Sequence, residues 1–186
     1  MGVKDEQRDR AVALLAAHLL QTGLAQTSLR QLAAAAGISD RMLLYYFADK
    51  AEALAAAMAR VAEELAGALS AALPEGRRWP PAELVQLAGA STTQPEMRRF
   101  MRLWVEVVAA AARGERPFGE IAEQIMAGFR QWVDARLQLP AGADRAAVAS
   151  AVIAVIDGLA LVDICMGKEA TARAAKALSF FQAQKG

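Results

Sequence analysis

The chain has 186 residues, of which 55% are hydrophobic and 22% charged, with a formal net charge of +1. That composition excludes a disordered chain and supplies ample apolar side chain for a packed core, while the near-zero charge alone identifies neither a nucleic-acid binder nor a binder of acidic ligands. The single cysteine, Cys165, excludes an intramolecular disulfide, suits a reducing cytoplasm and, between Ile164 and Met166, reads as a small buried hydrophobe.

No period-2 strand pattern and no internal repeat is present, and Ala, Leu, Glu, Gln, Met and Arg dominate the segments between turn residues. Breaks at Gly23, Gly37, Pro74 to Pro81, Gly114 to Pro117, Pro140 to Gly142 and Gly167 divide the chain into about nine helices. Thr27 or Ser28, Ser39, Asp49 and Asp144 stand where N-caps are needed. The expected class is all-α: an N-terminal three-helix helix-turn-helix module over residues 1–48, and a helical effector-binding and dimerisation domain over residues 49–186.

The opening run Lys4, Asp5, Glu6, Arg8, Asp9, Arg10 carries acids and no small-residue cleavage pattern, so it reads as a helix start rather than a signal peptide. Helices are expected over 4–22, 28–36 and 39–46, then a long one from Asp49 to about Leu73 that connects the two regions. His18, the one histidine, lies in the first helix and fits a partly buried core role better than catalysis. No Cys/His metal spacing or glycine-rich phosphate loop accompanies it, so no enzyme, no metal and no cofactor is expected.

Around Gly37 the pattern becomes informative. Leu29, Leu32, Ala33 and Ala36 form an inward stripe that leaves Arg30 and Gln31 outside. In the next helix, setting Leu43 at the core-facing centre puts Ser39 and Phe47 to its side and aims Arg41 and Tyr45 outward, flanked by Met42 and Leu44. An outward Arg and Tyr on a short helix suit a major-groove reader, because Arg can donate two hydrogen bonds to guanine and Tyr can meet phosphate, sugar or base. Lys50, a cation in the first turn of the fourth helix, opposes the helix dipole unless a phosphate lies near. The same features also fit an ordinary helical bundle with solvated charges. Residues 1–50 carry six basic and five acidic side chains, so charge does not decide between the two.

The run Gly23 to Ala33, then Ala36-Gly37-Ile38-Ser39, Leu43, Tyr46, Phe47 and Lys50, resembles the DNA-binding module of the TetR family of bacterial regulators. The resemblance covers roughly the first 55 residues, and it implies a homodimer whose third helices enter successive major grooves of a palindromic operator on double-stranded DNA, as a ligand-responsive repressor. By position it implies phosphate contacts at Thr27 and Ser28, groove-facing side chains at Ser39, Asp40, Arg41, Met42 and Tyr45, and a backbone anchor at Lys50; Arg30 and Tyr46 complete the DNA-facing set. Leu44 stands where the family commonly has Tyr, and Asp40 needs either Arg41 or a cytosine amine beside it.

The loop Pro74 to Pro81 contains Trp79 and reads as an ordered turn. Beyond it, Met97, Phe100, Met101, Trp104, Val105 and Val108 share one side of a helix, and Phe118, Ile121, Ile125, Met126, Phe129 and Trp132 share one side of the next. Such stripes are core, pocket wall, or both. For a small, mostly apolar effector the expected wall is Met101, Trp104, Val105, Val108, Ile125, Met126, Phe129, Trp132, Asp157 and Leu161, with Arg102, Glu106, Asp157 and Asp163 as polar handles.

Residues 146–167 are nearly all apolar and long enough to span a bilayer, but Asp157 and Asp163 oppose that reading. Burial between the core and a second subunit is expected instead, with no membrane partner. The dimer face is expected at Ala147, Ala151, Ala154, Gly158 and Leu161, joined by Ala174, Leu178 and Phe181 of the last helix, in a four-helix interface.

Overall fold

The computed structural model describes residues 2–178, and Phe181 lies outside the described residues. Nine helices run through these residues: α1 (Val3–Thr22), α2 (Leu29–Ala35), α3 (Asp40–Tyr46), α4 (Lys50–Ala72), α5 (Pro81–Thr92), α6 (Pro95–Ala112), α7 (Phe118–Arg136), α8 (Arg145–Met166) and α9 (Lys168–Ala177). The all-α class is as the sequence indicates, and the ends fall where the local chemistry puts them. Ser28, Ser39 and Asp144 accept from the backbone N–H three residues on, at the starts of α2, α3 and α8, and Asp49 does the same for the start of α4.

The chain divides into two compact units. The first contains residues up to Glu64 together with Arg102–Ile125. Its core is built from Leu15 and Leu19 of α1, Leu32 of α2, Leu43 and Phe47 around α3, Leu54 and Met58 of α4, and Leu103, Val107 and Ile121 further along the chain, all buried. His18 is half-buried there, its Nε2 2.9 Å from the Gln26 carbonyl oxygen.

The second unit contains Leu65–Met101 together with the residues from Met126 on. Here α5, α8 and α9 are mutual neighbours. Helix α8 buries Val152, Ile153, Ile156 and Leu159, and a Cβ on Gly89 of α5 would come within 2.8 Å of a Leu159 methyl carbon, so glycine permits that close approach. Arg98 of α6 grips the buried carboxylate of Asp163 on α8 with a two-point fork, Nε and Nη2 donating at 2.7 and 2.9 Å. Although α8 has the length and apolarity of a membrane span, one side of it is thus core of this unit.

The loop before α5 is ordered by its own backbone. Trp79 N–H donates to the Arg136 carbonyl and Gln138 N–H donates to the Trp79 carbonyl, both at 2.8 Å, and the indole is buried. Cys165 departs from expectation. It is exposed beside Ile164 and Met166, because the face of α8 that carries them is turned outward from its own unit.

Candidate nucleic-acid interface

The turn between α2 and α3 follows from Gly37. With φ of 68° it accepts the left-handed conformation, and the N–H groups of Gly37 and Ile38 donate to Ala34 and Ala33, a Schellman closure of α2. The chain then leaves at the angle that starts α3 at Ser39. Leu43, Tyr46 and Phe47 are buried behind α3, whereas Asp40, Arg41, Met42, Leu44 and Tyr45 are exposed, Tyr45 at 58%. The outward face of α3 is therefore a mixed polar and apolar strip with Arg41 and Tyr45 on it. Among the described residues, Asp40 forms no ion pair with Arg41, and Arg30, Arg41 and Lys50 have no salt-bridge partner. Ser39, exposed, is occupied in capping α3, accepting from Met42 N–H at 3.2 Å.

Two expected contacts change character. Tyr46 points into the unit: it is 8% exposed and its hydroxyl donates to Gln7 Oε1 of α1 at 2.6 Å. It belongs with the core rather than with the groove-facing set, because the residue three after Leu43 returns to the buried side. Thr27 donates its hydroxyl to the Leu24 carbonyl at 3.0 Å, and Ser28 donates its own to Gln31 Oε1 at 2.6 Å in a reciprocal capping box. Their hydroxyl hydrogens are thus committed locally, and so is the Ser28 N–H, which donates to Gln31 Oε1 at 3.0 Å.

Two neighbours of this surface escaped the sequence reading. The Lys4 ammonium lies 4.5 Å from the centroid of the Tyr45 ring, bringing the start of α1 to the outward face of α3. Arg8 donates to the Tyr46 carbonyl and pairs with Glu52 at 3.5 Å, tying α1 to α3 and α4. Neither pairing leaves a local signal, since the partners are about forty residues apart in the chain.

The residues expected around an effector differ in exposure and divide between the two units. Met101 and Trp132 are buried; Trp104, Ile125, Phe129 and Asp157 are half-buried; Val105, Val108, Met126 and Leu161 are exposed. Trp104 to Val108 and Ile125 belong to the first unit, the others to the second. On α6 the first unit's inward stripe is Leu103, Val107 and Ala110, two residues out of phase with Val105 and Val108. Of the polar handles, Asp163 is held by Arg98 and Glu106 accepts from the Leu24 N–H at 2.6 Å, while Arg102 is exposed.

The expected dimer residues lie together more clearly. Ala147, Ala151, Ala154 and Leu161 are exposed and Gly158 is half-buried, all on the outward face of α8 at alternating spacings of four and three; Ala174 and Leu178 are half-buried.

Comparison with known proteins places these features in a family. Residues 12–58 match the model of bacterial regulatory proteins of the tetR family, and residues 82–181 match the model of the BetI-type transcriptional repressor C-terminal domain. A search of curated proteins returned no match. Among solved structures, one from Rhodococcus sp. described as a TetR-family transcriptional regulator is 20% identical with a TM-score of 0.71, covering 94% of this chain and 98% of its own. The multidrug binding protein EbrR, solved with proflavin, is 24% identical with a TM-score of 0.69 over 92% and 96% of the two chains. A transcription regulator from Haloarcula marismortui is 15% identical with a TM-score of 0.67, covering 96% and 97%. These structural likenesses speak to the fold, while the two family models together span residues 12–58 and 82–181, most of the chain. The chain belongs to the TetR family of bacterial transcriptional regulators.

Proposed function

We propose that this protein is a cytoplasmic, ligand-responsive repressor that acts as a homodimer on a palindromic operator, with residues 1–48 reading DNA and residues 49–186 binding effector and dimerising. The observation that carries the reading is the outward face of α3: Arg41, Met42 and Tyr45 stand exposed on a short helix whose other side is anchored by Leu43 and Phe47. Arg41 is the base-reading side chain and Tyr45 the adjoining contact, while Lys50 and Arg30 neutralise phosphate on either side. Thr27 and Ser28, at the start of α2, serve the same end. The deciding experiment is selection of bound duplexes from a random pool. Enrichment of an inverted repeat with half-sites one helical turn or a multiple apart is the expected result, and no enrichment refutes the reading.

The dimer rests on α8. Its outward strip of small side chains, continued by Leu161, allows two copies to approach closely, and an exposed strip of that apolar character is poorly matched to water. For the effector, support comes from the family and from EbrR, a multidrug binding protein with proflavin bound. Trp104 and Ile125, half-buried apolar side chains of the first unit, are the members of the expected set best suited to meet a mostly apolar ligand.

A further inference from the structure

The turn between α1 and α2 is held by a side chain from far along the chain. Glu106, on α6, accepts the Leu24 N–H at 2.6 Å across 82 residues of sequence. Gly23, beside it, has φ of 66°, and a Cβ built there would overlap the Glu106 carboxylate. Two requirements therefore meet at Gly23: a left-handed backbone and an empty space into which the carboxylate fits. The rest of the turn is closed by its own residues, His18 against the Gln26 carbonyl and Thr27 against the Leu24 carbonyl, so Glu106 is its tie to a later helix. All these residues lie in the first compact unit.

We propose that Glu106 is a positioning residue for DNA reading, the point at which α6 fixes the α1–α2 turn and thereby the placement of α2 and α3. The inference rests on the DNA-binding reading above and adds to it a route of control. A carboxylate–amide bond of this length does not survive a helix shift of about 1–2 Å, the scale of movement by which switching proteins respond to ligands. An effector that displaces α6 releases the turn; one that leaves α6 in place does not.

The test uses the full chain and the duplex that the wild type selects from a random pool. Glu106→Ala should weaken binding about tenfold, the loss of one charge-assisted hydrogen bond, without changing the slope of affinity against salt, because Glu106 meets no phosphate. Glu106→Gln, which keeps an acceptor oxygen, should recover part of that loss. Amide exchange should quicken at Leu24 in Glu106→Ala while protection in the second unit stays at the wild-type level, a pattern that general destabilisation does not produce. A wild type that binds tightly together with a Glu106→Ala variant that binds equally well overturns this role alone. A wild type that selects no duplex overturns the DNA-binding reading and this role with it. Unchanged exchange at Leu24 in the variant overturns the role whatever the DNA result.

Discussion

The Arg136 guanidinium lies 4.2 Å from the centroid of the Trp132 ring, and both side chains donate to the same Ser70 Oγ, at 3.0 and 3.1 Å. Arg136 is 1% exposed, and its Nε also donates to the Leu73 carbonyl at the end of α4 and its Nη1 to the Trp132 carbonyl. Burial lowers its pKa and Glu75 opposes that shift, but a guanidinium remains charged at neutral pH. A cation at the C-terminal end of α4 also complements the helix dipole. Trp132 therefore has its N–H and one ring face in use within the protein, and Phe129 stacks with it at 5.8 Å.

Arg136→Met retains the apolar stem but removes every donor. It should destabilise the chain by about 3 kcal/mol, because the Leu73 and Trp132 carbonyls lose a charged partner in a buried setting. Urea unfolding of the two proteins measures this, and an unchanged midpoint refutes the structural role assigned to Arg136.

Arg41→Ala and Lys50→Ala should separate base reading from phosphate binding. The first is expected to lose discrimination at one base position at a cost of about 1 to 3 kcal/mol; the second should weaken all sequences alike and lower the salt slope by about one. Binding isotherms on the selected duplex and on a scrambled one, at several salt concentrations, distinguish the two.

Tyr45 and Tyr46, adjacent in sequence, should behave oppositely. Tyr46→Phe loses the bond to Gln7 and should cost about 1 kcal/mol of stability with duplex affinity preserved. Tyr45→Ala, at an exposed site, should leave stability within about 0.5 kcal/mol and reduce affinity. Reversal of that pattern would mean that the outward face of α3 has been misassigned.

Ala154→Arg or Gly158→Arg should prevent dimerisation, since each places an unpaired charge in the middle of the α8 strip. Sedimentation at micromolar concentration should show a dimer for the wild type and a monomer or aggregate for the variants. A wild-type mass of one chain ends the proposal.

Trp104→Ala should weaken release of the operator by an apolar effector while leaving duplex affinity in its absence near the wild-type value, because a ligand shifts the equilibrium only through differential binding. Ligands found by tryptophan fluorescence are titrated against the protein–duplex complex. Equal release in wild type and variant would remove Trp104 from the effector site.

What the sequence by itself determined was the local layer. Ser28, Ser39, Asp49 and Asp144 cap helices, Gly37 closes α2, and Leu43 places Arg41 and Tyr45 outward, because each depends on groups within four or five residues and on the 3.6-residue turn. Periodicity gives the angles between side chains on a helix but not which side meets the core. Only the tertiary structure could decide that the Tyr46 hydroxyl meets Gln7, that Leu103 and Val107 rather than Val105 and Val108 are the buried side of α6, and that Cys165 faces outward. The same holds for Arg136 on the Leu73 carbonyl and for Glu106 on the Gly23–Leu24 turn, where partners 63 and 82 residues apart meet. A contact at that separation depends on how whole helices pack, and a buried charge is tolerated only when packing brings it enough partners.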